Sequence, residues 1–138
     1  MSPYARLAII SSATPVAREA ELMLREQHEF VPLDQADAVI VLGGDGHMLQ
    51  VLHELLENRR DIPAYGMNRG TVGFLMNGWQ AGDLLNRLTR AKSFSVKPLT
   101  ATVTTVGGQT YSLPAINEVS LLRETRQTAK IEVSVNGR

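Results

Sequence analysis

The run Val39-Ile40-Val41-Leu42-Gly43-Gly44-Asp45-Gly46 sets a single carboxylate inside a glycine turn. The residues before the turn are β-branched or leucine at successive positions, which reads as a strand buried on both faces of a parallel sheet. After it, Met48, Val51, Leu52, Leu55 and Leu56 recur at the spacing of one face of an amphipathic helix. A strand, glycine turn and helix in that order aim backbone N–H groups and the positive end of the helix at an anion. Glycine lets the anion approach without a Cβ in the way. Asp45 complicates a plain phosphate cradle, because a carboxylate repels phosphate. Three arrangements remove the conflict. The carboxylate holds a metal that also binds phosphate, it takes the proton of an attacking hydroxyl, or it caps the helix and binds no phosphate.

Few other residues are spaced for chemistry. His47 and His53 are six apart on the expected helix, off the i, i+4 spacing of paired metal ligands, so no metal site is predicted there. His28 reads as a charge partner at a helix C-terminus. Arg123, Glu124, Arg126 and Lys130 read as a solvated face, and Trp79, the only tryptophan, has no role that its context assigns.

The elements that must position Asp45 follow from the pattern on either side. Arg6 to Ile10 reads as a first strand. Thr14 is a candidate N-cap with Pro15 at the first helical position, and Val16, Ala20, Met23 and Leu24 continue that helix to about Gln27. Glu29 to Leu33 reads as a brief strand, Pro63 to Met67 as another. Ala81, Leu84, Leu85 and Leu88 mark a third helix, started by Asp83. Alternating strand and helix over the first ~95 residues predict an α/β layer fold with a parallel sheet. From Ser93 the character changes. Phe94, Val96, Leu99, Ala101 and Val103 with the threonines between them read as extended chain, Gly107-Gly108 as a hairpin turn and Gln109 to Leu113 as the return strand, and Ala115 to Leu122 and Ile131 to Val135 read as further strands. Asn136-Gly137 after an alternating strand is a strong hairpin signal one residue before the last residue given. We therefore expect 1–95 to be an α/β nucleotide-binding domain and 96–138 the start of an incomplete β-rich domain, too small to close its own core.

Composition narrows the classes. Hydrophobic residues make up 43% of the 138 and charged residues 20%, as in globular proteins. Basic and acidic residues balance at 14 each, which argues against a nucleic-acid partner held by bulk charge but not against a nucleotide. There is no cysteine, hence no disulfide framework or thiolate chemistry. The apolar run Leu7-Ala8-Ile9-Ile10 is too short to span a membrane, and no signal peptide or membrane partner is expected.

Three stretches in this order, Gly43-Gly44-Asp45-Gly46, Gly66-Met67-Asn68-Arg69-Gly70-Thr71-Val72-Gly73-Phe74-Leu75 and Asn117-Glu118-Val119-Ser120-Leu121, resemble the NAD kinase family, which phosphorylates NAD to NADP. The four-residue loop alone also occurs in phosphofructokinases and diacylglycerol kinases; the three stretches together are more specific. The resemblance implies a three-layer Rossmann-like domain followed by a β-sandwich. It implies that Asp45 is the general base facing the 2′-hydroxyl of the adenosine ribose, with ATP as phosphate donor and a divalent cation, normally magnesium. Gly44 and Gly46 match glycines against phosphate and ribose. Asn68 and Phe74 fall in the loop lining the adenine side, and Asn117 and Glu118 match a pair that contacts the dinucleotide's ribose. It further implies a cytoplasmic enzyme that forms dimers or tetramers. Two departures stand out. Gln50 occupies a position that is basic in many relatives, and the family's later segment, with a second aspartate and a glycine-serine/threonine-alanine-tyrosine run, is absent from these 138 residues. They resemble a first half, expected to be inactive alone. The other readings are a related kinase acting on a lipid or sugar phosphate, and a nucleotide-binding module without turnover.

Overall fold

The computed structural model describes residues 4–138; Met1 to Pro3, the start of the expected first domain, lie outside the described residues. Three parallel strands, β1 (Leu7–Ser11), β2 (Ala38–Gly43) and β3 (Ala64–Asn68), form a sheet in the order β1-β2-β3. Leu7 pairs with Ala38 at one end and Gly43 with Asn68 at the other, so the carboxyl ends of β2 and β3 finish side by side. Helix α1 (Pro15–Arg25) lies between β1 and β2 in sequence, α2 (Asp45–Glu57) between β2 and β3, and α3 (Leu84–Arg90) follows β3.

The period-two alternation of the strands sorts their side chains into two cores. Leu7, Ile9, Ala38, Ile40, Leu42 and Met67 pack with Ala17, Ala20 and Leu24 of α1 and Leu84 and Leu88 of α3. Ala8, Val39 and Val41 pack on the other face with Met48, Val51 and Leu55 of α2. All six residues of β2 are buried, as the continuous apolar run predicts. Burying a side chain the size of Leu24 or Ile40 is worth about 1.5–3 kcal/mol, and both are fully enclosed. The result is the three-layer, Rossmann-like arrangement expected from the sequence.

Several local expectations are corrected. The buried face of α1 is Ala17, Ala20 and Leu24, while Val16 and Met23 remain 45% and 41% exposed. The helix docks on its small residues, which let it approach the sheet. Glu29 to Leu33 is no strand. Val31 N–H donates to Leu7 O at 2.8 Å, but Pro32 has no N–H to continue a ladder, and Leu33–Gln35 turns as a short 3₁₀ helix. Asp83, at φ 61°, precedes α3 without capping it through its side chain.

Beyond Leu88 no described residue joins either core. Strands β4 (Leu99–Thr104) and β5 (Thr110–Ala115) form an antiparallel hairpin. Its loop closes through Gly108 N–H to Thr105 O at 2.9 Å and Thr105 N–H to Gln109 O at 2.8 Å, with Gly108 at φ 84°. That is a turn followed by a left-handed glycine, the three-residue hairpin solution. The expected strands at Ala115 to Leu122 and Ile131 to Val135 are not formed after Ala115. Leu121, Leu122, Ile131 and Val133 are exposed, and an alternating segment without a ladder partner or apolar cover does not hold a strand. Asn136 and Gly137 do take the turn their types favour, with φ of 54° and 78° and reciprocal bonds between Val135 and Arg138. One hairpin is therefore the regular structure in 96–138, and a β-sandwich is not seen.

Candidate active site

The carboxyl ends of β2 and β3 carry the two glycine-bearing loops. Gly44 is the N-cap of α2, with extended backbone and no side chain to cap the helix. Asp45 is the first helical residue, but its carboxylate does not serve its own helix. Oδ2 accepts from Phe74 N–H at 2.7 Å and Oδ1 from Leu75 N–H at 3.0 Å. The capping alternative therefore takes an unexpected form, since Asp45 satisfies the backbone of a loop 29 and 30 residues away. Each oxygen accepts one N–H and keeps a second lone pair.

Glycine is required where the loops meet. A Cβ on Gly73 would overlap the Asp45 carboxylate, and one on Gly70 would lie 3.2 Å from Gly44 N. By contrast, a Cβ on Gly44 or Gly46 would meet nothing within 4 Å. Those two glycines border open space.

The second loop leaves the sheet at Asn68 and returns alongside it at Asn77. Asn68 N–H donates to Asn77 O at 2.8 Å, and Asn77 N–H to Gly66 O at 2.9 Å. The Asn77 side chain adds a second bond to Gly66 O at 3.0 Å. Asn68 Oδ1 accepts from Gly70 N–H at 2.9 Å, a local turn that leaves the Asn68 amide NH₂ without a partner among the described residues. Arg69 N–H donates to Gly43 O at 2.8 Å, locking the loop onto the first glycine turn. Leu75 and Met76 pack into the core under α2, Trp79 into the one under α1. Arg87 holds the loop's return by donating to Gly78 O and Gln80 O.

Of the residues singled out from the sequence, the structure brings Gly44, Asp45, Gly46, Asn68 and the Phe74 backbone to one place. The Phe74 ring is fully exposed, so it borders the site instead of filling a core. Asn117 and Glu118 lie on exposed coil after β5 and make no hydrogen bond among the described residues. Gly73 and Asn77 were not selected from sequence, although the repeated glycines of the second loop signalled that something packs against it. Among the described residues no three His, Cys, Asp or Glu side chains gather as a metal site.

Two carboxylates elsewhere are electrostatically defined. Burial opposes ionisation of Glu21, but hydrogen bonds from Ser11 and Arg25 outweigh it and hold the group below its ordinary value. The Arg6 guanidinium and backbone N–H, at 2.8 and 3.0 Å, hold Asp37 below its ordinary value.

A parallel sheet carries two glycine loops with one carboxylate fixed between them, at the carboxyl ends of the strands, where open α/β sheets take their ligands. The family model described as ATP-NAD kinase N-terminal domain matches residues 7–91, and the chain belongs to the NAD kinase family. It is 53% identical over 135 residues to an NAD kinase of Zymomonas mobilis, covering 98% of this chain and 52% of that protein. It is 55% identical over 133 residues to an NAD kinase of Rhizorhabdus wittichii, covering 96% and 52%. An NAD kinase of Caulobacter vibrioides is 43% identical over 133 residues, covering 96% and 50%. The chain thus spans about half the length of the curated relatives it matches.

Proposed function

We propose that this chain carries the first half of an ATP-dependent NAD kinase, with Asp45 as the base that activates the acceptor hydroxyl. The observation that supports it is the Asp45 carboxylate, fixed by the N–H groups of Phe74 and Leu75 beside glycines that face open space. Phosphoryl transfer asks mainly for positioning and charge stabilisation, with a base within reach of the attacking hydroxyl. Asp45 takes the 2′-hydroxyl proton on a lone pair that the loop leaves free. The hydroxyl oxygen bonds to the γ-phosphorus, the bond to the bridging oxygen breaks, and ADP leaves with that electron pair.

Gly44 and Gly46 let phosphate and ribose approach the backbone. Asn68 offers its free amide, and Phe74 offers an aromatic face suited to a purine. Asn117 and Glu118 supply donors and acceptors for ribose hydroxyls once the remaining half of the enzyme orders their segment. Magnesium would arrive on the phosphates of ATP, since no acidic cluster among the described residues supplies a ligand set for it. The reading includes a homo-oligomeric, cytoplasmic enzyme and no turnover by these 138 residues alone. No helix among the described residues is long and apolar enough to cross a membrane.

The test uses the kinase carrying this chain at the full length of its relatives. With ATP, NADP should form from NAD, while a sugar phosphate or diacylglycerol should remain unphosphorylated. Transfer to either of those acceptors in preference to NAD would replace this reading with a different kinase.

A further inference from the structure

A phosphate chain brought beside Asp45 needs a cation to offset the carboxylate, and this half of the enzyme has few to offer. No lysine precedes Lys92, and Gln50 is neutral. Several arginines of the α/β layers are committed elsewhere. Arg6 pairs with Asp37 and Arg25 with Glu21. Arg60 donates to Leu33 O and Ala36 O, and Arg87 to Gly78 O, Gln80 O and the Met67 sulfur.

Arg69 differs. Its backbone lies on the glycine turn, through the 2.8 Å bond to Gly43 O. Its guanidinium carbon sits 4.9 Å from the centre of the Trp79 ring, and Nε donates to Val16 O at 3.4 Å. No carboxylate pairs with it, and neither terminal nitrogen has a hydrogen-bond partner among the described residues. Stacking on an aromatic face leaves the in-plane donors of a guanidinium free, in the fork that matches two phosphate oxygens.

We propose that Arg69 grips the phosphate chain of the nucleotide at the carboxyl edge of the sheet, and that Trp79 is the positioning residue that holds its guanidinium there. This rests on the kinase reading above and adds the cation that lets a carboxylate and a polyphosphate share one site. It also gives Trp79, half-buried at the edge of a core, a reason to be tryptophan. A leucine would fill the apolar space but offer no ring face.

Steady-state kinetics of the full-length kinase test this with Arg69→Met, Arg69→Lys, Trp79→Leu and Trp79→Phe. Arg69→Met should raise KM for ATP about tenfold or more, as expected for losing charged hydrogen bonds to phosphate, while KM for NAD stays within about twofold. Arg69→Lys should recover part of the loss. Trp79→Leu should raise KM for ATP, and Trp79→Phe should restore it. An unchanged KM for ATP in Arg69→Met, or equal rises for ATP and NAD, overturns the proposal and leaves the kinase reading standing. If Arg69→Met does not fold, Arg69→Lys and the Trp79 pair decide by the same split. Absence of NADP formation by the unsubstituted enzyme removes the kinase reading and this proposal together.

Discussion

Asp45 and Gly73 form a contact that one methyl group would disrupt, because the carboxylate occupies the space of the missing Cβ. Gly73→Ala must push the carboxylate or the loop aside. We expect a loss of about 1–3 kcal/mol, the usual cost of overpacking, measured by urea unfolding. Asp45→Ala removes the obstacle, so the same Gly73→Ala change made in that background should cost much less. Equal costs in both backgrounds would mean that the two residues do not meet. None of this was readable from the sequence. The glycine turn announced itself because strand, turn and helix are adjacent in the chain, whereas the Asp45 partners lie 29 and 30 residues away and are backbone groups that carry no residue signature.

The elements show the same division between local and distant causes. Helix α1 starts where Thr14 and Pro15 predict, and Thr14 Oγ1 accepts from Ala17 N–H at 3.3 Å. Thr14→Ala should cost about 0.5–2 kcal/mol, and an unchanged unfolding midpoint would show that the cap contributes nothing. Strands β1, β2 and β3 were legible as short, mostly apolar runs that end at turn residues. The strands expected after Ala115 were not formed, because their alternation specifies a face to be covered and nothing in the described residues covers it. Amide exchange should separate these cases. The amides of Val39 to Leu42 should be the slowest in the chain, and those of 118–133 should exchange almost without protection. Protection of that segment equal to that of β2 would contradict the structure.

At the scale of the molecule, Arg6–Asp37 ties the starts of β1 and β2 within the sheet, and the Ser11–Glu21–Arg25 group ties α1 to it, both through ionised carboxylates. Both carboxyls sit below their ordinary values in the folded state. Their stabilisation is therefore present above the unfolded values and is lost as pH falls through the folded ones, so stability should decline below about pH 4. Asp37→Asn with Glu21→Gln should flatten that decline; an unchanged acid limb would place its origin elsewhere. The chain spans about half the length of the curated relatives it matches, and Leu121 and Leu122 are 86% and 98% exposed. In the proposed kinase most depends on Asp45 as the base. The decisive measurement is NADP formation by Asp45→Asn in the full-length kinase, alongside calorimetric binding of ATP and NAD. Turnover should fall about 10²–10⁴-fold, the range for losing a general base, with both affinities within about threefold of the unsubstituted enzyme. Turnover within a few fold of normal would contradict that role.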